Sequence, residues 1–235
     1  MQTSKTKIFL SIFLTLCFCQ GFSQDVEHNA WLFWSHQQKI GERWQLSSDV
    51  QVRSADNLDY VNTLLIRPGI GYKIAANQTL TLGYTYFGTW EKENSGRVYE
   101  HENRIFEQFQ IENEIKKVEI TNRLRYEQRF MYQQYHRIFT QRLRHYLMVQ
   151  VPLLADPLFT KGLYTAFQNE IFLNIQGQEH LTKRTFDQNR TYLGLGYRFS
   201  QELEMEGGYM FRYIIAEENT NVRNNIFQIS VRTSF

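Results

Sequence analysis

EITNRLRYEQRFMY, residues 119–132, alternates without a break. Glu119, Thr121, Arg123, Arg125, Glu127 and Arg129 share one face; Ile120, Asn122, Leu124, Tyr126, Gln128, Phe130 and Tyr132 share the other. A period of two is the mark of a strand, because successive side chains leave a pleated backbone on opposite sides. Soluble strands run to about 5–6 residues, and this one is more than twice as long. A soluble sandwich also alternates, with its apolar face inward and its polar face solvated. Here the polar face is built of opposed charges, and the apolar face becomes aromatic toward its end. That combination fits a barrel with an ionic interior and a lipid-facing exterior girdled by aromatic rings.

The pattern recurs along the chain. Residues 79–90 put Leu80, Leu82, Tyr84, Tyr86 and Trp90 on one side. In 188–199, Gln188, Arg190, Tyr192 and Arg198 oppose Leu193, Leu195, Tyr197 and Phe199. In 203–213, Glu204, Glu206 and Arg212 oppose Leu203, Met205, Tyr209 and Phe211. The C-terminal FQISVRTSF (227–235) places Phe227, Ile229, Val231 and Phe235 on one face. A final strand of this form reads as the closing strand and as a signal for the outer-membrane insertion machinery. The low mean hydropathy of −0.48 is no objection, since half of every barrel strand faces a polar interior.

Strands are expected near 29–37, 44–53, 63–74, 79–90, 100–112, 118–131, 138–151, 163–175, 187–199, 203–214 and 225–235. Pro68 falls inside one of them, where it removes a ladder donor. Connections alternate in kind. AANQ (75–78), EIKK (114–117) and SQE (200–202) are short, with 152–162 longer; 54–62, 92–100, 177–186 and 216–225 are long and polar, with a shorter 133–137. Short turns at one end and long loops at the other are the habit of outer-membrane barrels. The fold expected is an antiparallel transmembrane β-barrel of 10–12 strands. Bacterial barrels normally have an even count, and the segment at 29–37 is the odd one: a half-strand, a plug, or the sign of a missed crossing.

Residues 1–23 read as a cleaved secretory leader. Lys5 and Lys7 precede the apolar run Ile8 to Phe18, and Gly21 and Ser23 form a small-x-small pair. Residues 24–235 then form a single barrel domain. Both cysteines, Cys17 and Cys19, lie in the leader, so the exported chain carries no disulfide or thiolate metal site. Of 26 Lys+Arg and 24 Asp+Glu, the leader removes two lysines, leaving 24 against 24. A near-zero balance and export both argue against nucleic acid as a partner.

The polar faces carry Arg53, Arg67, Glu102, Arg104, Glu112, Arg123, Arg125, Glu127, Arg129, Arg142, Arg144, Glu170, Arg190, Arg198, Glu204, Glu206, Arg212 and Arg232. Neighbouring strands bring such charges into cross-strand reach, and the guanidinium fork can hold two carboxylates at once. Ion-pair ladders filling a narrow lumen are the structural reading. The surplus of Arg over Glu gives a second one: a narrow, porin-like channel favouring small anionic solutes. Arg123, Arg125 and Arg144 are the residues expected to set that preference.

Other functions find less support. His28, His36, His101, His136, His145 and His180 form no motif with the serines, and no G-x-S-x-G occurs. A loop protease drawing on Asp56, Asp59, His136 and His180 would have no specific spacing behind it. No metal-ligand spacing or cofactor motif is present; G-x-G at 194–196 lacks a third glycine and a following helix. An enzyme or receptor acting through the outer loops, or a soluble periplasmic ligand-binding barrel, are the alternatives.

The segments ENR (102–104), RLRYEQR (123–129), RLRHYL (142–147), NEIFLN (169–174), DQNRTYLGLGY (187–197) and EGGYMFR (206–212), in this order, resemble an uncharacterised bacterial family. It is the domain of unknown function 2490, whose members are predicted outer-membrane β-barrels. The resemblance spans roughly Trp31 to Phe235. It implies the fold and an outer-membrane location, and it brings no catalytic residues.

Overall fold

The computed structural model describes residues 26–93, 96–133, 136–215 and 221–235. The expected leader lies outside the described residues. Eleven strands follow in order: β1 (Val26–Ile40), β2 (Trp44–Ser54), β3 (Val61–Ala75), β4 (Gln78–Glu93), β5 (Gly96–Ile115), β6 (Val118–Gln133), β7 (His136–Ala155), β8 (Gly162–Gln176), β9 (Phe186–Ser200), β10 (Leu203–Ile215) and β11 (Asn221–Ser234). Each pairs with its sequence neighbours, and the sheet closes on itself into a barrel. Closure removes every free strand edge.

The closing pair answers the problem of the odd count. β1 is neither a plug nor a half-strand. It is 15 residues long, antiparallel to β2 and parallel to β11, in register from Val26↔Arg223 to Gln37↔Ser234. With an odd number of strands one seam must be parallel, and this is the seam. The final residue joins it: the Phe235 amide donates to the Gln37 carbonyl at 2.9 Å, and the Lys39 amide donates to the Phe235 carbonyl at 2.8 Å.

Two other expectations change. The polar stretch 92–100 is mostly strand, because β4 and β5 stay paired out to Glu93↔Gly96. Trp90 and Tyr99, with ring centroids 5.2 Å apart, hold that extension together. Pro68 sits within β3 opposite Ser48. The β3–β4 ladder lapses at Arg67 and Pro68 and resumes at Gly69↔Gly83 in the same register.

Alternation sorts most side chains to the inside or the outside. Leu82, Leu193, Leu195, Tyr209, Phe227 and Phe235 are exposed on the outside. The inside holds two kinds of packing. One is an aromatic and aliphatic cluster of Trp31, Phe159, Tyr164, Ala166, Tyr192, Met210 and Ile226. Gly194 and Gly196 make room for it: a Cβ on either would stand 2.3 Å from the Tyr192 hydroxyl or the Tyr164 ring. The other kind is ionic.

The longest connection at the short-turn end, 156–161, has a structural purpose. Its Asp156 carboxylate accepts hydrogen bonds from the amides of Leu158 (3.0 Å), Thr160 (2.9 Å) and Lys161 (2.7 Å), and from the Thr160 hydroxyl. The loop so fixed turns Phe159, at φ 51°, into the barrel, where it is 2% exposed. The Arg198 guanidinium lies 4.0 Å from that ring and donates to the Phe159 carbonyl at 2.9 Å.

Candidate functional site: the ionic interior

Strands β5 to β8 deliver the densest charge. Glu102 on β5 receives two guanidinium forks, from Arg104 at 2.7 and 2.8 Å and from Arg129 at 2.6 and 3.1 Å. Glu127 on β6, 1% exposed, is shared by Arg142 at 2.7 Å and Arg144 at 2.5 Å. Arg144 reaches on to Glu170 at 2.6 Å, which also holds Arg123 at 3.1 Å. Register explains these choices. Glu127 lies directly opposite Arg142, and Arg144 reaches it along the sheet diagonal, within range of a long side chain. Bidentate charge-assisted bonds of this kind offset the cost of taking ions out of water.

A second network lies toward the turn end. Arg232 bonds Glu204 at 3.2 Å and Glu206 at 3.1 Å. Arg198 bonds Glu204 at 3.2 Å and Glu119 at 2.7 Å. Arg67 pairs with Asp49 at 2.9 Å. Glu112 is exposed at the rim and accepts from the Gln110 amide at 2.9 Å.

Asp49, Glu119 and Asp187 complete the networks, and none was counted among the interior charges. Asp49 shares the phase of Arg53, and Glu119 shares that of Arg123, so both were readable. Asp187 was not: it is out of phase with Gln188 and Arg190, and reaches Arg142 at 3.2 Å from the second residue of β9. These acids shrink the arginine surplus. Among the described residues Arg53, Arg125, Arg190 and Arg212 form no ion pair. Of the three arginines expected to set an anion preference, Arg123 and Arg144 bond glutamates, and Arg125 donates to Gln108 at 2.9 and 2.5 Å.

Two cavities bear on this interior. A vestibule of about 810 Å³ reaches in from the turn end, bounded by residues as far apart as Glu112, Gln201 and Arg67. A smaller one of about 160 Å³ lies toward the loop end, among Arg53, Phe87, Arg104, Arg129 and Arg212. Arg67, Arg144 and Arg190 line both, so a guanidinium layer stands between them.

The histidines and loop acids do not converge. Asp56 accepts from the His28 amide at 2.7 Å, Asp59 pairs with Lys92 at 3.3 Å, and His180 lies 3.6 Å from Glu179. His101 stacks on Tyr132 with centroids 4.5 Å apart. Among the described residues no cluster of His, Cys, Asp or Glu could hold a metal.

Fold and interior together define a closed β-barrel with an arginine–carboxylate lumen. Residues 28–223 match the model of a family described as protein of unknown function (DUF2490). The chain belongs to that family. It is 26% identical over 164 residues to an uncharacterized protein of Methylorubrum extorquens, covering 69% of this chain and 68% of that one. No solved structure matches it.

Proposed function

We infer that this protein is a small barrel of a Gram-negative outer membrane, with a lumen filled at mid-height by ion pairs. The single observation that carries this reading is the inversion of faces: an ionic interior inside a closed barrel whose outer wall is apolar. Supporting it, aromatic residues cluster outside near both ends. Tyr86, Tyr99, His101 and Tyr132 stack toward the loops, and Trp44–Tyr72 and Tyr197–Phe199 pair toward the turns. Strands of 11 residues (β2) to 20 (β5, β7) meet or exceed the roughly 9–11 that a tilted strand needs to cross the hydrocarbon.

In this reading lipid is the main partner. The leader at 1–23 serves export, and Phe227, Ile229, Val231 and Phe235 present the terminal strand to the insertion machinery. The guanidinium layer makes the barrel chiefly structural, and whatever current it passes is carried by small ions with an anion preference. Cell fractionation followed by a heat-modifiability gel tests the placement. A membrane-bound band whose mobility changes on boiling is expected. A protein released in aqueous buffer without detergent, with no shift, would point instead to a soluble periplasmic barrel.

A further inference from the structure

Trp31 on β1 is 5% exposed, and three arginines surround it. The guanidinium carbons of Arg53, Arg190 and Arg212 lie 3.9, 5.1 and 5.6 Å from its ring centroid. These three border the 160 Å³ cavity, and they are the three cations there without a carboxylate. Their hydrogen-bond acceptors are neutral: Gln51 for Arg53 at 2.6 Å, Gln188 for Arg190 at 3.2 Å, Asn224 for Arg212 at 3.0 Å. Arg53 is 7% exposed, and its Nε has no hydrogen-bond partner among the described residues.

The pairing pattern isolates the same trio. Eight arginines line this cavity. Five of them grip five carboxylates: Asp49, Glu102, Glu127, Glu170 and Asp187. Of the eight, Arg53, Arg190 and Arg212 are left without an ion pair among the described residues. Glu27 accepts a hydrogen bond from the Asn224 side chain rather than from a guanidinium. Arginine cannot shed its proton to relieve such crowding, and the aromatic ring offsets only about 0.5–2 kcal/mol per cation. Like charges gathered away from bulk water call for a counterion.

We propose that the 160 Å³ cavity bordered by Arg53, Arg190 and Arg212 is a binding site for one small oxyanion, a phosphate, sulfate or small carboxylate group, held by those three arginines. Planar forks at several angles suit an oxyanion, which accepts two bonds from each, better than a halide. The volume of about 160 Å³ admits one such group with a few waters. The guanidinium layer shared with the vestibule places the approach on the loop side. The proposal goes beyond membrane placement, and it stands whether lipid or water covers the outer wall.

The test is calorimetric titration of the purified, detergent-folded barrel with inorganic phosphate, against chloride at matched ionic strength. One phosphate per barrel is expected, with no comparable heat from chloride. Arg53→Gln and Arg190→Gln should each weaken binding at least tenfold. Both variants should stay heat-modifiable and melt no lower than the wild type at low salt, because each removes an unbalanced charge. Arg43→Gln, in the β1–β2 turn, should bind as the wild type does. A parallel titration with glycerol 3-phosphate separates sources: binding of both probes indicates the headgroup of a larger molecule, binding of phosphate alone a free ion. Absence of phosphate binding in a folded barrel, or unchanged affinity in both glutamine variants, would overturn the site. A failed fractionation experiment would instead overturn the membrane reading and leave the site untouched.

Discussion

Glu127 shows how unevenly the interior charges are weighted. It is the carboxylate common to Arg142 and Arg144. Glu127→Gln should take one carboxylate from each of two buried guanidinium groups, leaving Arg142 with Asp187 and Arg144 with Glu170, and cost about 1.5–3 kcal/mol, measured by urea unfolding of the folded barrel in detergent. Glu112→Gln, at the exposed rim, should change stability by less than about 0.5 kcal/mol. Equal losses would mean that the network does not hold the barrel. Asp156 gives a pH signature outside the barrel wall. Hydrogen bonds from the Thr160 hydroxyl and amide, then from Lys161 and Leu158, lower its carboxyl below the ordinary value. A depressed acid contributes fully above its unfolded pKa, about 3.9, and loses that contribution as pH falls through its folded pKa. Wild-type barrel should therefore lose melting temperature below pH 4 more steeply than Asp156→Asn. Parallel curves would remove Asp156 from the account.

The strands were the legible part of this molecule, and their ends and seams were not. Alternation revealed all eleven because phase is local: Arg123, Arg125, Glu127 and Arg129 announce an inner face with no knowledge of their neighbours. The tip of β4–β5 is not legible because Lys92 and Glu93 look like loop, while the pairing that keeps them in strand comes from residues across the hairpin. The parallel seam was hidden for the same reason; the partner of Trp31 is Gln228, and no local pattern joins them. Which arginines lack an acid was equally non-local, since Asp187 enters the interior from the wrong phase. Two tests belong to the elements. Gly196→Val on β9 would drive a side chain into the Tyr164 ring and should destabilise by about 1–3 kcal/mol. Glu107 faces outward on β5, opposite Leu82 and Tyr126. If lipid covers that wall, Glu107→Leu should stabilise the inserted barrel by on the order of 1 kcal/mol; a loss of stability would argue that the carboxylate has a partner there.

The whole molecule turns on one assignment, that of the outer wall to lipid. The chain is well suited to a direct test, because Cys17 and Cys19 are its only cysteines and both precede the barrel. Leu195→Cys, at a position 57% exposed on the outside, and Gln110→Cys, at the vestibule, can each carry a bimane fluorophore. The measurement is quenching of each label by brominated lipid after reconstitution. The account predicts strong quenching at residue 195 and little at residue 110. Quenching at neither position, with a water-soluble quencher reaching residue 195 freely, would contradict it.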